Sequence, residues 1–154
     1  MYIQILLPYL CALMKTSASR FCECLYFTSN ALARKVEKMA KENWKKFDLS
    51  PSHAYMLMVV VEEPGVQPSV LSEQLQLSPS TITRLIEKLE KGKLVVRTTE
   101  GKITNVYPTP KAKELYPKMK ACAEEFYKRT LKTLGEKEST SLINNMVKLA
   151  DKLD

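Results

Sequence analysis

Residues 71–107 constrain the fold more than any other stretch, because two helix signatures joined by a tight turn run directly into a strand-turn-strand pattern. The second helix has Ser78 placed as its cap and Pro79 at its first position, where a missing N–H costs nothing. Gly92 is expected to close it in the left-handed conformation. Between these marks Ile82, Leu85, Ile86 and Leu89 recur at helical spacing, so one face packs inward. The other face shows Ser80, Thr81, Thr83, Arg84, Lys88 and Lys91. Short hydroxyls followed by cations suit a helix entering a DNA major groove end-on, where Arg84 has the reach for a guanine edge or a phosphate. An ordinary solvated helix face has the same composition, and helix-turn-helix spacing recurs in pairs that bind nothing.

The following residues separate those alternatives. Residues 94–99 and 102–107 are rich in β-branched side chains and flank Glu100 and Gly101, which predicts a two-stranded hairpin. Helix, turn, helix and hairpin make a winged helix. The charge sits there too: of a net +7, residues 80–120 contribute +6, from ten Lys or Arg against four Glu. A concentrated basic surface attracts a phosphate backbone without selecting sequence, although an acidic protein or membrane surface would be drawn as well.

The run Ser80-Thr-Ile-Thr-Arg-Leu-Ile-Glu-Lys-Leu-Glu90, followed by Leu94-Val-Val-Arg97, resembles the core signature of the MarR family of winged-helix transcription regulators. The resemblance extends over residues 21–153. Three features depart from it. Gln76 stands in the turn where the family often has Gly, Gly92-Lys93 reverses the usual order of a polar or basic residue before Gly, and the wing tip is Glu100-Gly101-Lys102 without the family's Asp-x-Arg-Arg. The resemblance implies a ligand- or redox-responsive regulator, with repression as the expected mode, that binds double-stranded DNA as a homodimer on palindromic operators. The expected DNA-binding residues are Ser69, Ser80, Thr81, Thr83, Arg84, Lys88, Arg97 and Lys102, the last three serving phosphates or the minor groove. The alternative is a winged helix that binds protein or RNA. Without an exposed aromatic platform, single-stranded RNA is the weaker option.

Elsewhere the chain reads as helices. Residues 17 or 19 to 46 carry Phe21, Leu25, Leu32, Val36, Met39, Ala40 and Trp44 at helical spacing. Ser50-Pro51 repeats the cap-plus-proline signal before the apolar run at 54–61, which marks a central helix. Val66 and Gln67, ahead of Pro68, are expected to be extended against the wing. Thr109-Pro110 opens a helix that Pro117 should kink or split and Gly135 should end, and residues 139–153 form a last amphipathic helix. The terminal helices carry more apolar stripe than a winged core covers, which implies burial between two copies. The predicted fold class is therefore mainly α (α+β), a winged helix-turn-helix with a two-stranded wing and long terminal helices forming a dimerisation body. Its regions are an apolar extension at 1–16, dimerisation helices at 17–48 and 110–154, and a DNA-binding region at 49–109, within one compact domain overall.

The extension is too short to span a bilayer and lacks the basic start and cleavage site of a signal peptide, so it is expected to be an artefact of start-site choice or a frayed end, with a helix at 2–14 that packs on the dimer and then a membrane-related segment as the further alternatives. Four cysteines (11, 22, 24 and 122) do not read as a disulfide framework in a chain of this length, and one histidine, His53, leaves no metal set. The expectation is a cytoplasmic protein with no catalytic residue, cofactor, metal or membrane role. Two triggers are candidates. Cys22 and Tyr26 resemble the start of the long helix in the thiol-based, peroxide-sensing branch, although Val36 replaces its second tyrosine, and a thiol at a helix N-terminus gains thiolate character. Cys22 and Cys24 also read simply as packing residues. The other candidate is a lipophilic or aromatic effector near Tyr26, His53 and Tyr55, with His53 otherwise a surface or capping residue.

Overall fold

The computed structural model describes residues 15–153, and the helix expected at 2–14 lies outside the described residues. The chain forms two compact units, Met1–Glu42 and Asn43–Asp154. Among the described residues no helix is long and apolar enough to cross a membrane.

The first unit contains a 3-10 turn at Thr16–Ala18 and most of helix α1, Leu25–Trp44. That helix starts later than the sequence suggests. The amides of Cys22 and Cys24 donate to the carbonyls of Ser19 and Phe21, three residues back, so residues 19–24 wind as successive turns. Helical bonding begins only with Thr28, whose amide donates to the Cys24 carbonyl at 2.9 Å. Hydrophobic periodicity near 3 to 4 residues does not distinguish these two windings.

In the second unit, α2 is Pro51–Glu62, α3 is Pro68–Leu75, α4 is Pro79–Lys91, β1 is Val95–Glu100, β2 is Ile103–Pro108, α5 is Pro110–Leu134 and α6 is Glu136–Ala150. Each of α2, α3, α4 and α5 opens with proline in its first turn, where its fixed φ is already helical. Central α2 buries Ala54, Met56, Leu57 and Val60 completely and packs against α3, α4, α5 and β2. The strands pair antiparallel from Val95 with Pro108 to Glu100 with Ile103, and Val66 adds a single bridge to Val106, as its extended reading anticipates. The hairpin turn is Gly101-Lys102 and not Glu100-Gly101. Only Gly101 has positive φ, 60°, the pattern of a two-residue turn with glycine first.

Two further expectations are corrected. Helix α5 is not split at Pro117; Pro117 and Lys113 are both exposed, so the missing bond is taken on the solvated side. Helix α6 begins three residues before Ser139, because Gly135 ends α5 and caps α6 without a loop. Glu136 and Glu138 occupy the first turn, where carboxylates are favoured.

Candidate nucleic-acid interface

Helix α4 is held from both ends. At its start the Ser78 hydroxyl accepts from the Thr81 amide at 3.3 Å. At its finish the amide of Leu94 donates to the Leu89 carbonyl at 2.9 Å and that of Lys93 to Glu90 at 2.8 Å. This paired closure requires a left-handed residue at the position of Lys93, which has φ 56°, whereas Gly92 is right-handed at φ −74°. Gly92 is thus not the left-handed residue, contrary to expectation. Helix α3 closes identically: Leu77 donates to Ser72 at 3.1 Å, Gln76 to Glu73 at 3.2 Å, and Gln76 has φ 52°. The Gln76 amide side chain returns to the Glu73 carbonyl at 2.8 Å. Two of the three departures from the familiar pattern therefore fall on left-handed positions that glycine occupies at lower cost.

Ile82, Leu85, Ile86 and Leu89 are buried, anchoring one side of α4. On the other side Ser80, Thr83, Arg84 and Lys88 are exposed, and Thr81 is half-buried. The hydroxyls are engaged locally: Ser78 Oγ lies 3.1 Å from Ser80 Oγ and 2.9 Å from Thr81 Oγ1, and Thr83 donates to the Pro79 carbonyl at 3.0 Å. Among the described residues, Arg84 and Lys88 make no hydrogen bond or ion pair and present unspent charge. Ser69 is exposed in the first turn of α3, and Lys102 is exposed at the wing turn.

Arg97 differs from the rest of this set. Its Nε donates to Glu90 Oε1 at 3.0 Å and its Nη2 to Oε2 at 2.6 Å, a two-pronged ion pair joining β1 to the last turn of α4. Sequence reasoning did not find Glu90 as a functional partner. Its distance along the chain from Arg97 spans a helix, an elbow and a strand, and no periodic pattern connects them.

Of the trigger candidates, Cys22, Cys24 and Tyr26 belong to the first unit and His53 and Tyr55 to the second. Cys22 and Cys24 are exposed in the first unit. Cys22 lies in the turns before α1, so it does not sit at the helix N-terminus as the sequence suggests, and a helix dipole fades within its first turn. Tyr26 is also exposed there, edge-on to Phe27 at 5.3 Å. His53 and Tyr55 belong to the second unit but, two residues apart on α2, do not face each other. His53 is buried rather than on the surface, with Nδ1 2.5 Å from Ser50 Oγ. Burial lowers its pKa, and the positive charge of Lys88 on α4 lowers it further. The Ser50 hydroxyl therefore serves the imidazole instead of capping a backbone amide. Tyr55 packs edge-on against the fully buried Trp44 at 5.6 Å, and burial raises its pKa.

Residues 47–102 match the MarR family, a segment that holds α2, both helices of the turn and the start of the wing. That segment resembles the MarR family and makes up about a third of the chain. Its relatives include an uncharacterised HTH-type transcriptional regulator of Bacillus subtilis, YybA, 27% identical over 122 residues covering 76% of this chain and 81% of that protein. The fold is similar to that of a MarR-family regulator from Listeria monocytogenes complexed with a 26-mer DNA, with a TM-score of 0.69 at 23% identity, covering 84% and 88% of the two chains. It is also similar to CouR from Rhodococcus jostii RHA1 bound to p-coumaroyl-CoA, with a TM-score of 0.69 at 19% identity over 88% and 95%. At these identities the structural likeness establishes the MarR winged-helix fold.

Proposed function

We propose that this chain is a MarR-type, sequence-specific double-stranded DNA-binding transcription regulator that works as a homodimer on two-fold symmetric operators. The observation that carries the reading is α4 itself: anchored by four buried aliphatic residues, it exposes Arg84 and Lys88 with no internal partner. The Listeria relative's complex with DNA supports the same use of the fold. Arg84 reads a base edge, Ser80 and Thr83 allow close approach, Ser69 and Lys88 hold phosphates, and Thr81 orients the start of the helix. Two copies related by a two-fold axis address half-sites roughly 34 Å apart. The exposed stripe Leu142, Ile143, Met146 and Val147 on α6 supports self-association. Repression released by a lipophilic or aromatic effector is the expected mode, supported by the ligand that CouR carries. Oxidation at Cys22 is the competing trigger, supported by its exposure.

Selection of bound duplexes from a random pool tests the whole reading, and two variants test the roles. Arg84→Ala should lose about 1–3 kcal/mol of discrimination at one base pair. Lys88→Ala should weaken all sequences alike and flatten the salt dependence by roughly 0.9 in log–log slope. Enrichment of no sequence, or identical effects of the two changes, would sink the assignment. Repeating the selection with peroxide-treated protein separates the triggers.

A further inference from the structure

The wing invites reading as a second DNA-contacting arm, with Arg97 as one of its cations. Its register says otherwise. Arg97 pairs with Val106, which is fully buried, so both belong to the inner face of the hairpin. The outer face alternates through Val96, Thr98 and Glu100 on one strand and Ile103, Asn105 and Tyr107 on the other, and it contains no cation. On the inner face the Arg97 guanidinium is committed to Glu90 through both prongs, with the two side chains 34% and 27% exposed.

The segment bridged by this pair is held at several other points. Between Glu90 and Arg97 the backbone turns through left-handed Lys93. The carbonyls on that elbow are served from the start of α5: Lys111 Nζ donates to Gly92 at 3.1 Å, and the Thr109 hydroxyl shares its one proton between Lys93 at 2.9 Å and Leu94 at 3.2 Å. The elbow is thus fixed from one side by the start of α5, and the ion pair closes it on the other. A planar guanidinium fork imposes an orientation that a point charge does not.

The geometry points to Arg97 as a positioning residue, which sets the angle of the wing against α4 through Glu90 and takes no part in phosphate contact, leaving Lys102 as the wing's charged link to the duplex. This inference rests on the DNA-binding reading for its consequence and on the ion pair alone for its cause.

The test measures affinity for the selected operator across salt concentrations, together with hydrogen exchange of the wing in the free full-length protein. Arg97→Ala and Glu90→Gln should each weaken operator binding by roughly fivefold with the salt slope unchanged, since a half-buried two-pronged pair is lost but no phosphate contact is. Arg97→Lys should fail to rescue, and the exchanged pair Glu90→Arg with Arg97→Glu should recover most of the affinity. Lys102→Ala should instead lower the slope by about 0.9. Exchange at the β1 and β2 amides should accelerate in Arg97→Ala without DNA present. The inference is overturned if Arg97→Ala reduces the salt slope while Glu90→Gln leaves affinity intact or raises it, or if Arg97→Lys binds like the parent. Should the parent protein bind no duplex at all, the DNA-binding reading fails by itself. The exchange measurement then still decides the clamp, because wing amides unaffected by Arg97→Ala overturn it.

Discussion

Helix α4 hides Ile82, Leu85, Ile86 and Leu89 within its unit, whereas α6, with a comparably regular stripe of Leu142, Ile143, Met146 and Val147, leaves every residue from 141 to 150 exposed. In sequence the two are alike: a cap or glycine boundary, then apolar residues at helical spacing. The difference is supply of partners. Helix α4 lies between α2, α3 and β1, each contributing aliphatic surface, while α6 packs mainly against α5 and buries Ser139. An amphipathic pattern states that a helix needs cover; it does not state whether the same chain provides it.

Four measurements can break or sharpen this contrast. The largest effect belongs to the satisfied helix. Ile86→Ala should cost about 2–5 kcal/mol in denaturant unfolding, as expected for a cavity in a closed core. Ile143→Ala in dilute protein should cost under about 0.5 kcal/mol. Equal costs would mean that α6 is covered by its own chain.

Next comes the unsatisfied helix in concentrated solution. Met146→Glu places a carboxylate on the open stripe and should raise the dimer dissociation constant by at least about tenfold in sedimentation, while removing the concentration dependence of the melting temperature. A parent protein that sediments as a monomer at micromolar concentration would remove the homodimer from the proposal.

A smaller gain is expected where α4 ends. Lys93→Gly relieves a left-handed side-chain residue and should stabilise by up to about 1 kcal/mol, partly offset by the greater freedom of glycine in the unfolded chain. Gln76→Gly should gain less, because the bond from Gln76 to the Glu73 carbonyl is lost.

The smallest effect concerns pH. Burial, reinforced by Lys88, holds His53 below its ordinary value of 6.5, so the unfolded chain takes up the proton more readily than the folded protein. Its contribution to stability is complete above pH 6.5 and is lost as the pH falls from there through the folded-state pKa. His53→Gln should flatten the melting temperature over that window. A slope that survives this change would assign the titration to another group.

The winged helix was legible because its punctuation is chemical. Pro51, Pro68, Pro79 and Pro110 each lack the amide that a helix start can spare, and each begins a helix. The inward side of α4 followed from spacing alone. What was not legible shares one cause, a backbone option that composition leaves open. Gly92 is able to turn left-handed, yet the amides of Lys93 and Leu94 reach back to Glu90 and Leu89, which places the demand one residue later. The start of α1 was misplaced because turns bonded three residues back carry almost the same apolar rhythm as a helix. At the interface, the exposure of Arg84 and Lys88 was foreseen. The commitment of Arg97 to Glu90 was not, since it depends on how an elbow folds two elements together.

Helix α5 is one uninterrupted helix of 25 residues, rooted through Thr109 and Lys111 in the junction of α4 and the wing and joined at Gly135 directly to α6. At 1.5 Å per residue it is about 37 Å long, so a tilt of about 5° at its far end moves that end by about 3 Å. An unbroken helix of that length ties the seating of α6 to the angle of its own root beside the end of α4, so the two ends of the unit share one structural element.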